Sequence, residues 1–296
     1  MTASRTVTVL CSSVLVLCMA SSVLLTRRID TLREGAALRE VLWIPSARTV
    51  ERMSLGYKGL IANIYWTRVV QYFGSKHYAH SMEYKLLKPL LEITTTLDPK
   101  LLPAYEFGGI FLAQQPPEGA GDPKAAAELV EKGIRNNPHA WRLRYDLGFI
   151  YWLELNNPQK AADVFLEGSK VPGAHQWMVT MAAALAQQGG EREKSRYLWS
   201  NIANSTEDEH MKRNAINRLQ ALDIDQFVDT LQERVDKYKE LTGNYPKDFR
   251  QMVAEGWLRR IPVSPSGVPL DILNGHVELP DYKEYPFITR GKPAGY

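Results

Sequence analysis

The sequence predicts a mainly α-helical, membrane-tethered protein. It has an N-terminal transmembrane helix, an α-solenoid of stacked helix pairs, and a small C-terminal helix plus β-hairpin cap. Three observations predict this. A helix-pair frame of small and large residues recurs through the middle of the chain. An uncharged stretch covers residues 6–26. Strand composition appears only after Gly256. The expected division is residues 1–28 for the anchor, 29–99 for leading helices and a degenerate repeat, 100–222 for the solenoid, and 223–296 for the cap.

Residues 6–26 lie between Arg5 and the pair Arg27-Arg28. As a helix they would extend about 31 Å, close to a hydrocarbon core. Aliphatics such as Val7, Val9, Leu10 and the runs Val14–Leu17 and Val23–Leu25 favour insertion, and interspersed serines and threonines weaken it. Ala20-Ser21-Ser22 would serve as a signal-peptide cleavage site. The apolar run continues past it to Leu25 and ends on two arginines, which suits a retained anchor better. Leu17 before Cys18 argues against a lipoprotein. The expected location is therefore a membrane, crossed once. Arg27, Arg28, Arg33 and Arg39 against Arg5 would keep the body cytoplasmic by the positive-inside rule. The signal-like start with a short basic flank favours export, so an extracytoplasmic, periplasmic body is the expectation and a cytoplasmic one the alternative. Both cysteines, Cys11 and Cys18, fall in this segment, which leaves the body no disulfide framework and no thiolate metal site.

After the anchor, residues 29–45 read as a short amphipathic helix stopped by Pro45. Ser54–Phe73 is an aromatic-rich helix, with Tyr65, Trp66, Arg68 and Gln71 close together. It fits the first helix of a degenerate repeat, and Arg68 with Gln71 as a ligand surface is the sharper alternative. Residues 82–97 supply its partner helix, ended by Asp98-Pro99.

The frame follows. Phe107-Gly108, Phe111, Ala126, Val130 and Gly133 close on Asn137-Pro138. Leu147-Gly148, Tyr151, Ala161, Phe165 and Gly168 close on Pro172. Met181-Ala182, Leu185, Ser195, Trp199 and Ile202 fit more loosely. Small residues let one helix of a pair lie close to its neighbour, and large ones fill the gaps; pairs so built stack. Residues 112–124 are a turn-rich insertion, and Gly119 and Gly121 lack the context of a phosphate loop.

Asp225–Thr242 reads as a helix stopped by Gly243, and Pro246 opens a short helix ending at Gly256. Strands Val268–Leu273 and His276–Leu279 flank Asn274-Gly275, a strong hairpin signal.

The frame resembles the tetratricopeptide repeat, with copies over residues 101–204, though Trp141 and Trp177 stand where the usual early tryptophan would be displaced. Together with residues 54–74, the chain is similar to bacterial membrane-anchored repeat proteins, a likeness that implies a single-pass anchor in a bacterial inner membrane and a binding body but no activity. The stretch from Tyr238 through Gly243-Asn244-Tyr245-Pro246 to Pro265-Ser266-Gly267 is similar to the end of type II secretion pseudopilins. There an aspartate precedes the proline and the loop can hold calcium. Ser264 stands at that position here, which removes a carboxylate.

Repeats of this family point first-helix side chains into a concave groove. The resemblance assigns Arg142, Tyr145, Phe149 and Trp152 to it, with Tyr105 before and Gln176 and Gln187 after. Aromatics and arginine carry binding energy at protein surfaces. Packing of Phe149 and Trp152 against the next helix is the equal alternative. The implied function is a membrane-anchored adaptor or scaffold that binds a protein or peptide partner. A structural component of a secretion or pilus-like envelope machine is the alternative.

No catalytic constellation appears, so no enzyme, cofactor or small-molecule substrate is expected. His77 and His80 could share a helix face, but without a third ligand they read as a solvated pair and no metal site is expected. With 36 Lys and Arg against 33 Asp and Glu, no nucleic-acid footprint is present.

Overall fold

The computed structural model describes residues 14–15, 17–25, 27–28 and 46–293. Residues 6–13, 16 and 26 of the expected anchor, Cys11, and all of the expected 29–45 helix lie outside the described residues. Those described between Val14 and Arg28 are helical, and Cys18 carries a free, exposed thiol. Among the described residues no helix is long and apolar enough to cross a membrane. The described chain is mainly helical, with one two-stranded sheet. It divides into two compact units. One runs to Ala104 and includes Gln115–Ala120; the other takes Tyr105–Gln114 and everything from Gly121.

In the first unit, α1 (Ala47–Met53) is N-capped by Ser46, whose hydroxyl accepts from the Thr49 amide. The helix expected from Ser54 starts later, as α2 (Lys58–Tyr78). Leu55 and Gly56, both at positive φ, make the turn before it. The expected partner helix also starts late, as α3 (Leu87–Leu97), and ends at Asp98 as its proline requires. Both α1 and α2 pack on α3, around Val50, Ala62, Ile93 and Leu97. The hydroxyls of Thr94 and Thr95, buried in α3, donate to the Leu90 and Leu91 carbonyls at 2.8 and 2.9 Å.

The second unit takes α4 (Leu102–Ala113) from Tyr105 onward and α5 (Pro123–Asn136), then α6 (Trp141–Phe149), which continues as a π-helical turn over Ile150–Glu154. Next come α7 (Pro158–Ser169), α8 (Trp177–Gln188), α9 (Arg192–Ser205) and α10 (Glu209–Thr242). Asp122 and Asn157 cap α5 and α7 with their side chains, each followed by proline at the first helical position. From α5 to α10 each helix packs on the next in sequence.

The frame residues are where close approach occurs. A Cβ on Gly148 would lie 2.6 Å from the Phe165 ring, and one on Gly133 would lie 2.7 Å from Tyr105. In the first copy Gly108 is buried, and it is the adjacent Gly109 whose missing Cβ would meet Val130 at 2.6 Å. In the third copy Ser195 is fully buried and its hydroxyl donates to the Ala183 carbonyl at 2.7 Å.

The helix expected from Asp225 begins sixteen residues earlier, at Glu209, so the boundary at 222/223 falls inside α10. Gly243 ends it in the left-handed conformation at φ 82°. Then α11 (Phe249–Ala254), capped by Asp248, precedes β1 (Asp271–Leu273) and β2 (His276–Glu278). These pair antiparallel with Ile272 opposite Val277, around Asn274 and Gly275 at φ 54° and 84°. Two successive positive φ angles are what a type I′ hairpin demands, and Asn-Gly supplies them. The hairpin packs on α10 through Val228, Leu231, Val235 and Tyr238. Buried Asp225 ties down the following segment: it accepts from the Thr289 amide and hydroxyl at 2.8 Å each and from the Arg290 amide at 2.9 Å.

Candidate functional site

Helices α4 and α6 line a cleft of about 240 Å³. From α4 come Glu106, Phe107 and Ile110, spaced so that one helix face carries all three; from α6 come Trp141, Arg142, Tyr145 and Asp146. Phe107 is 50% and Ile110 40% exposed, so the apolar wall is open to a visitor. The aromatic floor is set by geometry: the Trp141 and Tyr145 rings meet edge-on at 6.2 Å, and the Arg142 guanidinium lies 5.7 Å from the Trp141 ring centroid.

The polar wall is electrostatically tuned. Burial pushes the Asp146 carboxyl up to about 7, the negative charge of Glu106 adds to the rise, and Arg142 opposes it. The site therefore offers hydrophobic contact, an arginine, and a carboxyl whose charge switches near neutrality.

The predicted groove residues divide. Arg142 and Tyr145 line the cleft. Tyr105 does not: it is fully buried on the face of α4 turned to α5, filling the space that Gly133 leaves open. Phe149 and Trp152 turn away from the cleft, towards α8. Phe149 stacks on Trp177 at 6.0 Å, and the Trp152 indole donates to Gln188 Oε1 at 3.1 Å. The π turn places an extra residue in the coil, so a 3.6-residue count misassigns positions beyond Phe149. Gln176 is the exposed N-cap residue of α8. Gln187 is half-buried and donates to Asp225 Oδ2 at 3.3 Å, which makes it a brace for the cap. Glu106, Phe107, Ile110, Trp141 and Asp146 were not assigned to the groove. Carrying the groove face of α6 two helices back, onto α4, finds three of them.

Elsewhere, His77 stacks on Phe73 at 5.7 Å and approaches Glu118 at 3.6 Å; among the described residues no cluster of metal-ligating side chains forms. In the pseudopilin-like loop the Ser264 hydroxyl donates to Asp281 Oδ2 at 2.6 Å, and the Ser266 hydroxyl donates to the same oxygen. These two bonds hold the Asp281 carboxyl below its ordinary range against the opposing effect of burial. One carboxylate already engaged by two hydroxyls is a poor donor set for calcium, which takes several charged oxygens.

Compared with protein-family models, with curated proteins and with solved structures, the chain matches none, which leaves the chemistry of the cleft to indicate its use.

Proposed function

We propose that this chain is a membrane-anchored helical-repeat adaptor that holds a segment of a protein partner in the cleft between α4 and α6. The observation that carries this reading is the pair of half-exposed apolar side chains, Phe107 and Ile110, facing the Trp141–Tyr145 floor. An apolar wall with a few convergent polar groups is the make-up of a binding cleft. The partner side chain that fits is apolar, with a hydrogen-bonding or acidic group within reach of Arg142. Stacked tetratricopeptide-type pairs would continue this surface as a solenoid groove, and an anchor would confine it to the membrane.

Crosslinking capture from membranes tests the proposal. Ile110→Ala and Arg142→Ala are each expected to cut partner recovery several-fold while circular dichroism stays unchanged. Unchanged recovery from both variants would remove the cleft from consideration. These positions probe binding better than Tyr145, whose ring lies 4.9 Å from Phe149 and supports the core.

A second reading, a part of a secretion or pilus-like machine, has one observation in its favour: long α10 packs its buried stripe on a hairpin and a serine–aspartate loop. Removing residues 243–296 would strip that stripe bare, so a surface change discriminates better. Leu273→Asp, at the exposed end of β1, should abolish assembly with other envelope components if this reading holds and leave cleft capture intact.

A further inference from the structure

The turn between α1 and α2 spends backbone strain on displaying a leucine. Leu55 sits at φ 48°, a left-handed conformation that branched side chains rarely adopt, and it is 85% exposed. Asparagine or glycine would relax the turn, as Gly56 does at φ 93°. The fold gains no burial from Leu55. Its neighbours repeat the pattern: Met53, Tyr57, Leu60 and Ile64 are 51–70% exposed. Tyr57, Leu60 and Ile64 are spaced to line one face of α2.

The corner is held rigidly from beneath. Ser54 is buried, its hydroxyl donates to the Glu51 carbonyl at 2.6 Å, and its carbonyl accepts from the Tyr57 amide at 2.8 Å. The charges around it have one dominant sign. Arg48 and Arg52 are exposed, and Lys58 bridges Glu51 at 2.6 Å, which leaves three cations against one carboxylate.

We propose that this corner is a bilayer-docking surface, in which Leu55, Met53, Tyr57, Leu60 and Ile64 enter the headgroup–acyl boundary of an anionic membrane while Arg48, Arg52 and Lys58 meet its phosphates. An apolar tip ringed by cations with a tyrosine at its edge matches that boundary. A protein groove would need no such ring. The tether supports the same occupant. Ala47 follows Leu25 by 22 residues, at most about 75 Å of extended chain. Under the anchor reading, on which this part of the argument rests, the corner is never far from lipid, and docking is intramolecular.

The test uses the full chain with Cys11→Ala and Cys18→Ala, so that Met53→Cys provides the one thiol for an environment-sensitive fluorophore; Lys124→Cys, in the other unit, is the reference. Both are reconstituted in phosphatidylcholine vesicles with and without phosphatidylglycerol. The Met53 probe should shift to the blue and be quenched by brominated lipid several-fold more than the Lys124 probe. Omitting phosphatidylglycerol, or introducing Arg48→Gln with Arg52→Gln, should weaken the effect. Leu55→Asn should return the probe to water while raising the unfolding midpoint, opposite signs that a purely structural leucine would not give. Equal iodide quenching of both probes in both lipids would overturn the proposal, as would energy transfer between labelled copies showing that a second chain covers the corner. Resistance to alkaline carbonate extraction reports the anchor separately. An extractable chain would sink the anchor, and the Met53 probe on added vesicles would still decide the docking.

Discussion

Asp146 is the residue whose surroundings alter its chemistry most. Its folded pKa of about 7 lies above the ordinary carboxylate value, so the folded state holds the proton more tightly than the unfolded chain. Its contribution to stability is therefore full below about pH 4 and is lost as pH rises towards 7. Asp146→Asn should flatten this dependence and, at pH 8, unfold later than the parent by about 1–3 kcal/mol, discounted for partial exposure. Urea titrations from pH 5 to 8 would check it, and parallel parent and variant curves would refute the assignment. Asp225 acts through its hydrogen bonds. It is 1% exposed and its acceptors are fully used by Thr289, Arg290 and Gln187. Asp225→Ala takes away the buried acceptor of the Thr289 amide and hydroxyl, the Arg290 amide and Gln187, a loss of about 1–3 kcal/mol. Limited proteolysis should then cut near residue 289 before the helices are touched.

Among the elements, glycine position decides the outcome of one substitution made twice. Gly74 in α2 has nothing within 4 Å of its would-be Cβ, so Gly74→Ala should stabilise by about 0.5–1 kcal/mol through helix propensity alone. Gly148 in α6 faces the fully buried Phe165 ring at 2.6 Å, which cannot swing aside. There the overpacking cost of about 1–3 kcal/mol outweighs the propensity gain. Thermal melts of the two variants should move in opposite directions. The π turn after α6 is held by the Tyr151 hydroxyl, which donates to Glu131 Oε1 at 2.8 Å. Burial and then that acceptor push the tyrosine up to about 12. Helix α10 owes its unexpected length to its start: Asp208 accepts from the His210 and Met211 amides, and buried Ala215 and Leu222 join it to the preceding helices, while Ala221 opens the cap-facing stripe.

For the whole molecule, much of the helical order was legible because it is written locally. Asp122-Pro123 and Asn157-Pro158 start helices, Asp98-Pro99 and Gly243 end them, and Asn274-Gly275 turns a hairpin, each through its own backbone preference. The recurrence of Gly148 with Phe165, and of Gly133 with a ring, was legible as pattern, since a missing Cβ matters only where something large comes close. The cleft was half legible. Arg142 and Tyr145 follow from the face of one helix. Glu106, Phe107 and Ile110 depend on which face of α4 is left uncovered, and that is settled by Tyr105 turning inward onto Gly133. By itself, then, the sequence determined the helix ends marked by a cap, a proline or Gly243 and which small residues sit at contacts, because capping and turn preferences act within a few residues; the starts of α2, α3 and α10 it did not. Only the tertiary structure decided which aromatics are core and which are wall, and that Asp146 titrates near neutrality. Burial and neighbouring charge come from chain segments brought together by packing, and no local pattern encodes them.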